Sequence, residues 1–159
     1  MPGAGEHRKD AADVLDQSRL THLVGYAASR AAITMRKVFA HHMEPLGLKI
    51  VDFSILMLVA QNPQVNQKQL GQALDISAPN MAVTLDRMVD CGWVERVRGT
   101  KDRRAQHIHL TAQGARLVER AEKIAATMEA PALSVLSAAE RALLIELLYK
   151  VASGRGGKR

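Results

Sequence analysis

Apolar positions recur along this chain with a helical period over most of its length and with a strand period only once. From Ser18, the residues Leu20, Leu23, Ala27, Ala31, Thr34 and Val38 follow at steps of three and four, and Phe39 and Met43 prolong the stripe. That spacing predicts one helix of about thirty residues, longer than a small compact domain needs. Part of it must be covered from outside, and a second copy of the chain is the natural cover. Pro45-Leu46-Gly47-Leu48 ends the stripe. Ile50 to Gln61 is nearly all apolar, which predicts a short helix buried on most sides, stopped by Asn62-Pro63.

The next stretch, Asn66 to Thr111, organises the rest. Asn66 reads as an N-cap with Gln69 completing a capping box, and Leu70, Ala73 and Leu74 give a short helix one apolar stripe. After Asp75-Ile76, Ser77 reads as a second N-cap, with Pro79 in a first turn that does not need its N–H. Met81, Val83, Leu85, Met88 and Val89 form the apolar side of this second helix, which closes at Cys91-Gly92. Asn80, Thr84 and Arg87 are left on a polar face. Two short helices joined by a three-residue turn, the second with a polar outer face, make a helix-turn-helix.

Trp93-Val94-Glu95-Arg96-Val97-Arg98 is rich in β-branched and aromatic residues and reads as a strand. Gly99-Thr100-Lys101-Asp102 is a turn, and Arg104 to Leu110 alternates as a returning strand. Between Arg96 and Arg104 stand five Lys or Arg residues and one acid, Asp102. A hairpin with that charge at its tip, placed directly after a helix-turn-helix, is a wing suited to phosphates or a narrow minor groove.

Helical spacing then returns. Thr111 caps a helix to about Ala130, striped by Leu117, Val118, Ala121, Ile124, Ala125 and Met128 and interrupted by Pro131. Ser137 and Glu140 form a capping box for a last helix, whose apolar face is Leu144, Leu147, Leu148 and Val151 and which ends at Gly154. The terminal helices carry more apolar surface than one copy of the chain can cover, and packing them across a two-fold axis would make a homodimer. No internal repeat is present.

Composition narrows the field. Of 159 residues, 47% are hydrophobic but only 3% aromatic, so the core is built from aliphatic side chains and Met. A formal charge of +6 calls for an acidic partner, of which nucleic acid is the simplest and an anionic membrane surface the rival. The one cysteine, Cys91, forms no intrachain disulfide, which fits a reducing cytoplasm. The longest apolar run, Ile55 to Ala60, is far too short to span a bilayer, and the N-terminus lacks the apolar core of a signal peptide. These features predict a soluble protein of the cytoplasm, with no membrane partner and no cofactor.

Leu74-Asp75-Ile76-Ser77, Leu85-Asp86-Arg87-Met88, Gly92-Trp93-Val94-Glu95-Arg96, Asp102-Arg103-Arg104 and Leu110-Thr111-Ala112-Gln113-Gly114, in that order and spacing, resemble the MarR family of winged-helix regulators. The resemblance covers about residues 18–152. It implies an obligate homodimer that binds a palindromic operator in double-stranded DNA, usually as a repressor released by a small ligand. Lys49 departs from the pattern, since the family usually caps the following helix with Thr or Ser there. The fold expected is mainly α with a small β-wing. Residues 1–17 are a loose N-terminal arm, 18–47 and 112–152 helical dimerisation regions, 48–111 the winged helix-turn-helix, and 153–159 a basic flexible tail.

Candidate DNA contacts follow from these placements. Ser77, Pro79, Asn80, Thr84 and Arg87 lie on the second helix of the motif; Asn suits adenine, and Arg suits guanine or a phosphate. Asn66, Gln67 and Lys68 stand at a helix N-terminus, where free N–H groups hold phosphates. Arg96, Arg98, Lys101, Asp102, Arg103 and Arg104 carry the wing. Asp102 and Arg104 match an Asp-x-Arg signature in which, by the resemblance, the acid orients an arginine into the minor groove; either Arg103 or Arg104 can be that arginine. Two recognition helices in a dimer would enter successive major grooves about 34 Å apart.

The resemblance also implies an aromatic effector, often phenolic or carboxylate, in a cleft between the dimerisation helices and the winged lobe. Tyr26, Ser29, Arg30 and His41 are the polar residues on or beside the first helix's apolar face. Arg30 suits a ligand carboxylate or, equally, an ion pair. Two other switch chemistries have candidate residues. Cys91 sits at a helix C-terminus, where the dipole disfavours a thiolate, so a small buried residue is expected rather than an oxidation switch. His107 and His109 share a strand face but lack a third ligand type, and a solvated strand is expected rather than a metal site. His41 and His42 point apart on a helix. No phosphate-binding loop, nucleophile elbow or paired carboxylates suggest an enzyme. A winged helix that binds only protein has no need of so basic a tip.

Overall fold

A computed structural model of the chain describes residues 15–99 and 106–154. Two compact units divide it, residues 1–33 and residues 34–159. Most of the expected arm and tail, and the wing tip at residues 100–105, lie outside the described residues.

In the first unit the expected single helix is broken. α1 covers Ser18–Thr21, and α2, Val24–Met43, begins after two intervening residues and extends past Ile33. At the break lies the Ser18 carbonyl, which a continuing helix would give to the His22 N–H. Here the Thr21 hydroxyl and the His22 ring approach it at 3.4 and 3.5 Å, and Leu23 N–H closes a tighter turn on Leu20 at 3.0 Å. Asp16 accepts from Ser18 N–H at 2.9 Å, which holds its carboxyl below the ordinary aspartate value. Leu20, Leu23 and Val24 are 43%, 46% and 71% exposed.

The second unit opens with the rest of α2. Its end tightens into a 3-10 turn at Glu44–Leu46, and Gly47 reverses the chain at φ 68°, a conformation that suits glycine. α3, Ile50–Gln61, is the centre of the core: Ile55, Leu56 and Val59 are buried. Lys49 supplies no capping acceptor, and the cap comes from the other direction, with Asp52 accepting the Lys49 N–H at 3.1 Å.

α4 (Gln67–Leu74) and α5 (Ala78–Asp90) form the helix-turn-helix. The capping box at Asn66 forms as its spacing predicts, with reciprocal bonds to Gln69 of 2.9 and 3.0 Å. Asp75 turns the chain at φ 52°, and Ile76 N–H returns to the Gly71 carbonyl at 2.9 Å. Ser77 occupies the N-cap of α5, but its side chain makes no capping bond. Leu70, Met81, Leu85 and Met88 pack inward with no solvent exposure. Val83, expected on that apolar side, is instead 69% exposed. It lies one helical turn from Asn80, on the same outward side, so the helix geometry overrides its hydrophobicity.

β1 (Val94–Arg98) and β2 (Gln106–Leu110) pair antiparallel, Val94 with Leu110 and Arg96 with Ile108. Val94 and Ile108 face the core. β2 is fastened on its other side as well: Ile108 N–H donates to the Val65 carbonyl at 2.8 Å, and the His107 ring meets the Gln64 carbonyl at 2.7 Å. At the base, Thr111 N–H bonds the Trp93 carbonyl at 3.1 Å, and the Thr111 hydroxyl donates to Gly92 at 2.6 Å. That hydroxyl also accepts from Gly114 N–H at 3.0 Å, capping α6, Ala112–Met128.

α7, Ala138–Ser153, begins with the predicted Ser137–Glu140 box. Its large apolar residues between Leu143 and Val151 are 40% to 70% exposed. The core of the unit is aliphatic and Met-rich, with one edge-on aromatic pair, Phe39 and Phe53, at 5.5 Å.

Candidate nucleic-acid interface

The outward side of α5 presents Ser77, Pro79, Asn80 and Val83 as exposed residues. Thr84 is half-buried, and its hydroxyl donates back to the Asn80 carbonyl at 2.8 Å, leaving the oxygen lone pairs to accept. Among the described residues nothing bonds the Asn80 amide, and both its ends can meet a partner. Val83 adds what the polar-face reading missed, an apolar contact of the kind that fits a thymine methyl. Its position three residues after Asn80 was the available signal.

Arg87 departs from its expected place on this face. Its guanidinium is turned into the protein, donating to the fully buried Asp52 of α3 and lying over the Trp93 ring, 5.9 Å from the centroid. A seven-residue step puts Arg87 near Asn80 in angle, but the side chain is long enough to reach a buried carboxylate that needs a partner. Arg96 is likewise engaged, pairing with Asp86 at 2.6 Å across the seam between β1 and α5. Arg98 is exposed at the far end of β1. Lys101, Asp102, Arg103 and Arg104 lie outside the described residues.

At the start of α4 the Asn66 side chain is consumed by the capping box. Gln67 is half-buried and Lys68 exposed. Both line a cleft of about 490 Å³ with Gly71, Gln72, Asp75, Ile76 and Ala78, on the side where α4 meets α5. The described surface thus combines an exposed helix face, a lysine at a helix start and an arginine at the outer end of β1. This is an arrangement for a polyanion with readable base edges.

The expected effector residues are distributed over both units. In the first, Tyr26 is half-buried and donates its hydroxyl to Gln17, while Ser29 and Arg30 are exposed. In the second, His41 is exposed and stands edge-on to His42 at 5.0 Å. The second unit also contains a cleft of about 250 Å³ that the sequence reading did not single out, walled by Leu46, Trp93 and Leu117 and edged by Gln113, Arg116 and Arg120. The one local sign of it was an i, i+4 pair of arginines, Arg116 and Arg120.

Cys91 is exposed, where a buried residue was expected; α5 ends one residue before it, with no helix continuing to cover it. His107 spends its Nδ1 on Gln64, and among the described residues no three His, Cys, Asp or Glu side chains group as metal ligands. Among them, too, no helix is long and apolar enough to cross a membrane.

Comparison with known proteins gives a consistent picture. A family model described as MarR family matches residues 46–105. The HTH-type transcriptional repressor Rv2887 of Mycobacterium tuberculosis is 27% identical over 130 residues, covering 82% of this chain and 94% of that protein. The structure of the transcriptional repressor CouR bound to a 23-mer DNA duplex shares 32% identity at a TM-score of 0.82, over 87% of this chain and 99% of that one. CouR bound to p-coumaroyl-CoA shares 30% identity at a TM-score of 0.79, over 91% and 100%.

Proposed function

The chain belongs to the MarR family of winged helix-turn-helix transcriptional repressors, which are not enzymes, and we propose that it represses as a homodimer on a palindromic operator until a small aromatic ligand releases it. The observation that carries the dimer is α7. A helix whose Leu143, Leu144, Ile145, Leu147 and Leu148 are all 40% or more exposed is not finished by its own chain. Leu20, Leu23 and Val24 add exposed apolar surface near the other end. In this reading residues 18–47 and 112–152 dimerise and residues 48–111 bind DNA, in the cytoplasm and at the nucleoid.

Each protomer places Asn80, Val83 and Thr84 in a major groove, Lys68 on the flanking phosphates, and the wing, with Arg98 and one of Arg103 or Arg104, along the minor groove. Ser77, Pro79 and Gln67 help set the register on the phosphate backbone. Arg87 and Arg96 serve the interface by holding it together.

The effector is an aromatic carboxylate or a thioester of one. CouR, similar over nearly the whole chain, binds p-coumaroyl-CoA, and this chain offers cationic side chains beside apolar walls, among them Arg116 and Arg120 next to Trp93. Tyr26, Ser29, Arg30 and His41 remain the candidates on the first long helix. A ligand acts only by favouring the dimer spacing that does not fit DNA. The exposure of Cys91 supports a second reading, release by thiol oxidation.

Gel-shift binding to DNA flanking the protein's own gene, repeated across salt and with aromatic acids, their coenzyme A thioesters and a mild oxidant, tests both. A specific shift released by one acid or thioester supports the first reading. Release by oxidant, abolished in Cys91→Ser, supports the second. Binding that is only nonspecific and salt-sensitive would overturn the operator reading.

A further inference from the structure

α3 contains one charged side chain in an otherwise apolar or neutral sequence, and that side chain, Asp52, is completely excluded from solvent. Its two oxygens are divided between two tasks. Oδ2 accepts the Lys49 N–H at 3.1 Å, and Oδ1 accepts from the Arg87 guanidinium of α5. Trp93 lies against the same guanidinium. The adjacent residue of α5, Asp86, pairs outward with Arg96 of β1 at 2.6 Å. Consecutive residues of the recognition helix are therefore tied in opposite directions, Arg87 to the core and Asp86 to the wing.

Asp52 is buried while the Arg87 side chain stays 39% exposed, and a carboxylate buried against such a partner is a poor device for stability alone, because well-packed apolar residues of similar volume do as well or better. It is a good device for orientation. The planar guanidinium accepts a carboxylate and an aromatic face in fixed directions, which an aliphatic contact does not demand. We infer that Asp52 and Arg87 are positioning residues that set the rotation of α5 about its own axis, and with it the presentation of Asn80, Val83 and Thr84 to DNA. The lever is short. Side-chain tips stand roughly 5–6 Å from a helix axis, so a roll of about 20° moves them by about 2 Å, enough to break a paired hydrogen bond to a base edge. Arg87 itself touches neither bases nor phosphates.

The inference rests on the repressor reading, and the two fail differently. The wild-type chain is used to select duplexes from a random pool; the selected duplex and an unrelated one then serve as probes. In the double variant Asp52→Leu with Arg87→Met, we expect a melting temperature at or above wild type. Affinity for the selected duplex falls roughly tenfold, while affinity for the unrelated duplex and the salt dependence are unchanged. Arg87→Lys, which keeps the charge and loses the planar fork, shows the same loss of discrimination, and it carries the comparison should the double variant fail to fold. Full affinity for the selected duplex in both variants overturns the inference. So does a salt slope smaller by about one in the double variant, which would make Arg87 a phosphate contact. Should the wild-type chain select nothing, the repressor reading and this inference fall together.

Discussion

The α-carbon of Gly114 lies so close to the backbone of Trp93 that a β-carbon added there would stand 1.9 Å from the Trp93 carbonyl oxygen. No side chain fits in that space, and the obstacle is backbone, which does not swing away. The start of α6 is thereby pressed onto the root of the wing, where Thr111 also bonds Gly92 and Trp93. Gly114→Ala must push them apart, at a cost of about 1–3 kcal/mol on the scale of overpacked sites. Thermal or urea unfolding measures it; a variant as stable as wild type would refute the contact.

Asn80 and Val83 are exposed on α5 and carry no structural duty among the described contacts. Asn80→Ala and Val83→Ala should leave the melting temperature within a degree or two of wild type. Each should weaken operator binding by about 1–3 kcal/mol with little change on unrelated DNA. Competition gel shifts with the two duplexes separate these effects. Equal losses on both would assign the residues to the backbone instead of the bases.

At the wing tip, Arg104→Ala should weaken operator binding by about 1–3 kcal/mol at moderate salt. Comparing it with Arg103→Ala identifies which arginine enters the minor groove, since only that one should change discrimination between A·T-rich and G·C-rich flanks. If neither substitution matters, the wing contributes no minor-groove contact.

Leu144 and Leu148 share one side of α7 at an i, i+4 step and are 40% and 47% exposed. Replacing both with Glu places charges where a partner helix would pack. The expected result in analytical ultracentrifugation is a monomer that retains helical content and loses operator affinity. A dimer that survives the change would put the interface elsewhere.

Glu140 gives a dependence on acid. The Ser137 backbone N–H, and then its hydroxyl, hold the Glu140 carboxyl below its ordinary value of 4.5. A depressed carboxylate contributes stability that is present above 4.5 and is lost as pH falls through the lower folded value. α7 should therefore loosen on acidification below that range, and Glu140→Gln should flatten this part of the profile. Circular dichroism melts over the acid range test it; an unchanged profile in the variant would show that the cap is not coupled to folding.

Much of this architecture is written locally. Asn66 with Gln69, Ser137 with Glu140, and Thr111 before Gly114 each announce a helix start within four residues, and each forms. The recognition helix and the hairpin are legible for the same reason, because their periods are set by neighbours. What escaped the sequence depends on distant partners. Arg87 looked like a free polar residue because its acceptor, Asp52, lies 35 positions away in a segment that reads as a hydrophobic run. Val83 looked buried because hydrophobicity stood in for angle. The break after Thr21 is a local tightening of the turn, Leu23 N–H closing on Leu20, which periodicity does not register. Arg116 and Arg120 gained meaning only when Pro45, Leu46 and Trp93 were brought beside them.

The bonds from Ile108 to Val65 and from His107 to Gln64 have a consequence for motion. They staple β2 to the segment that leads directly into α4, so the hairpin is not an appendage that swings on its own hinge. Amide protons of β2 and of the first turn of α4 should then exchange with solvent at matched rates, opening as one cooperative unit. Whatever shifts the segment at Gln64 and Val65 by a small amount tilts the wing with it. In such a unit the grip on the minor groove and the seating of the helix-turn-helix are adjusted together, by a single displacement.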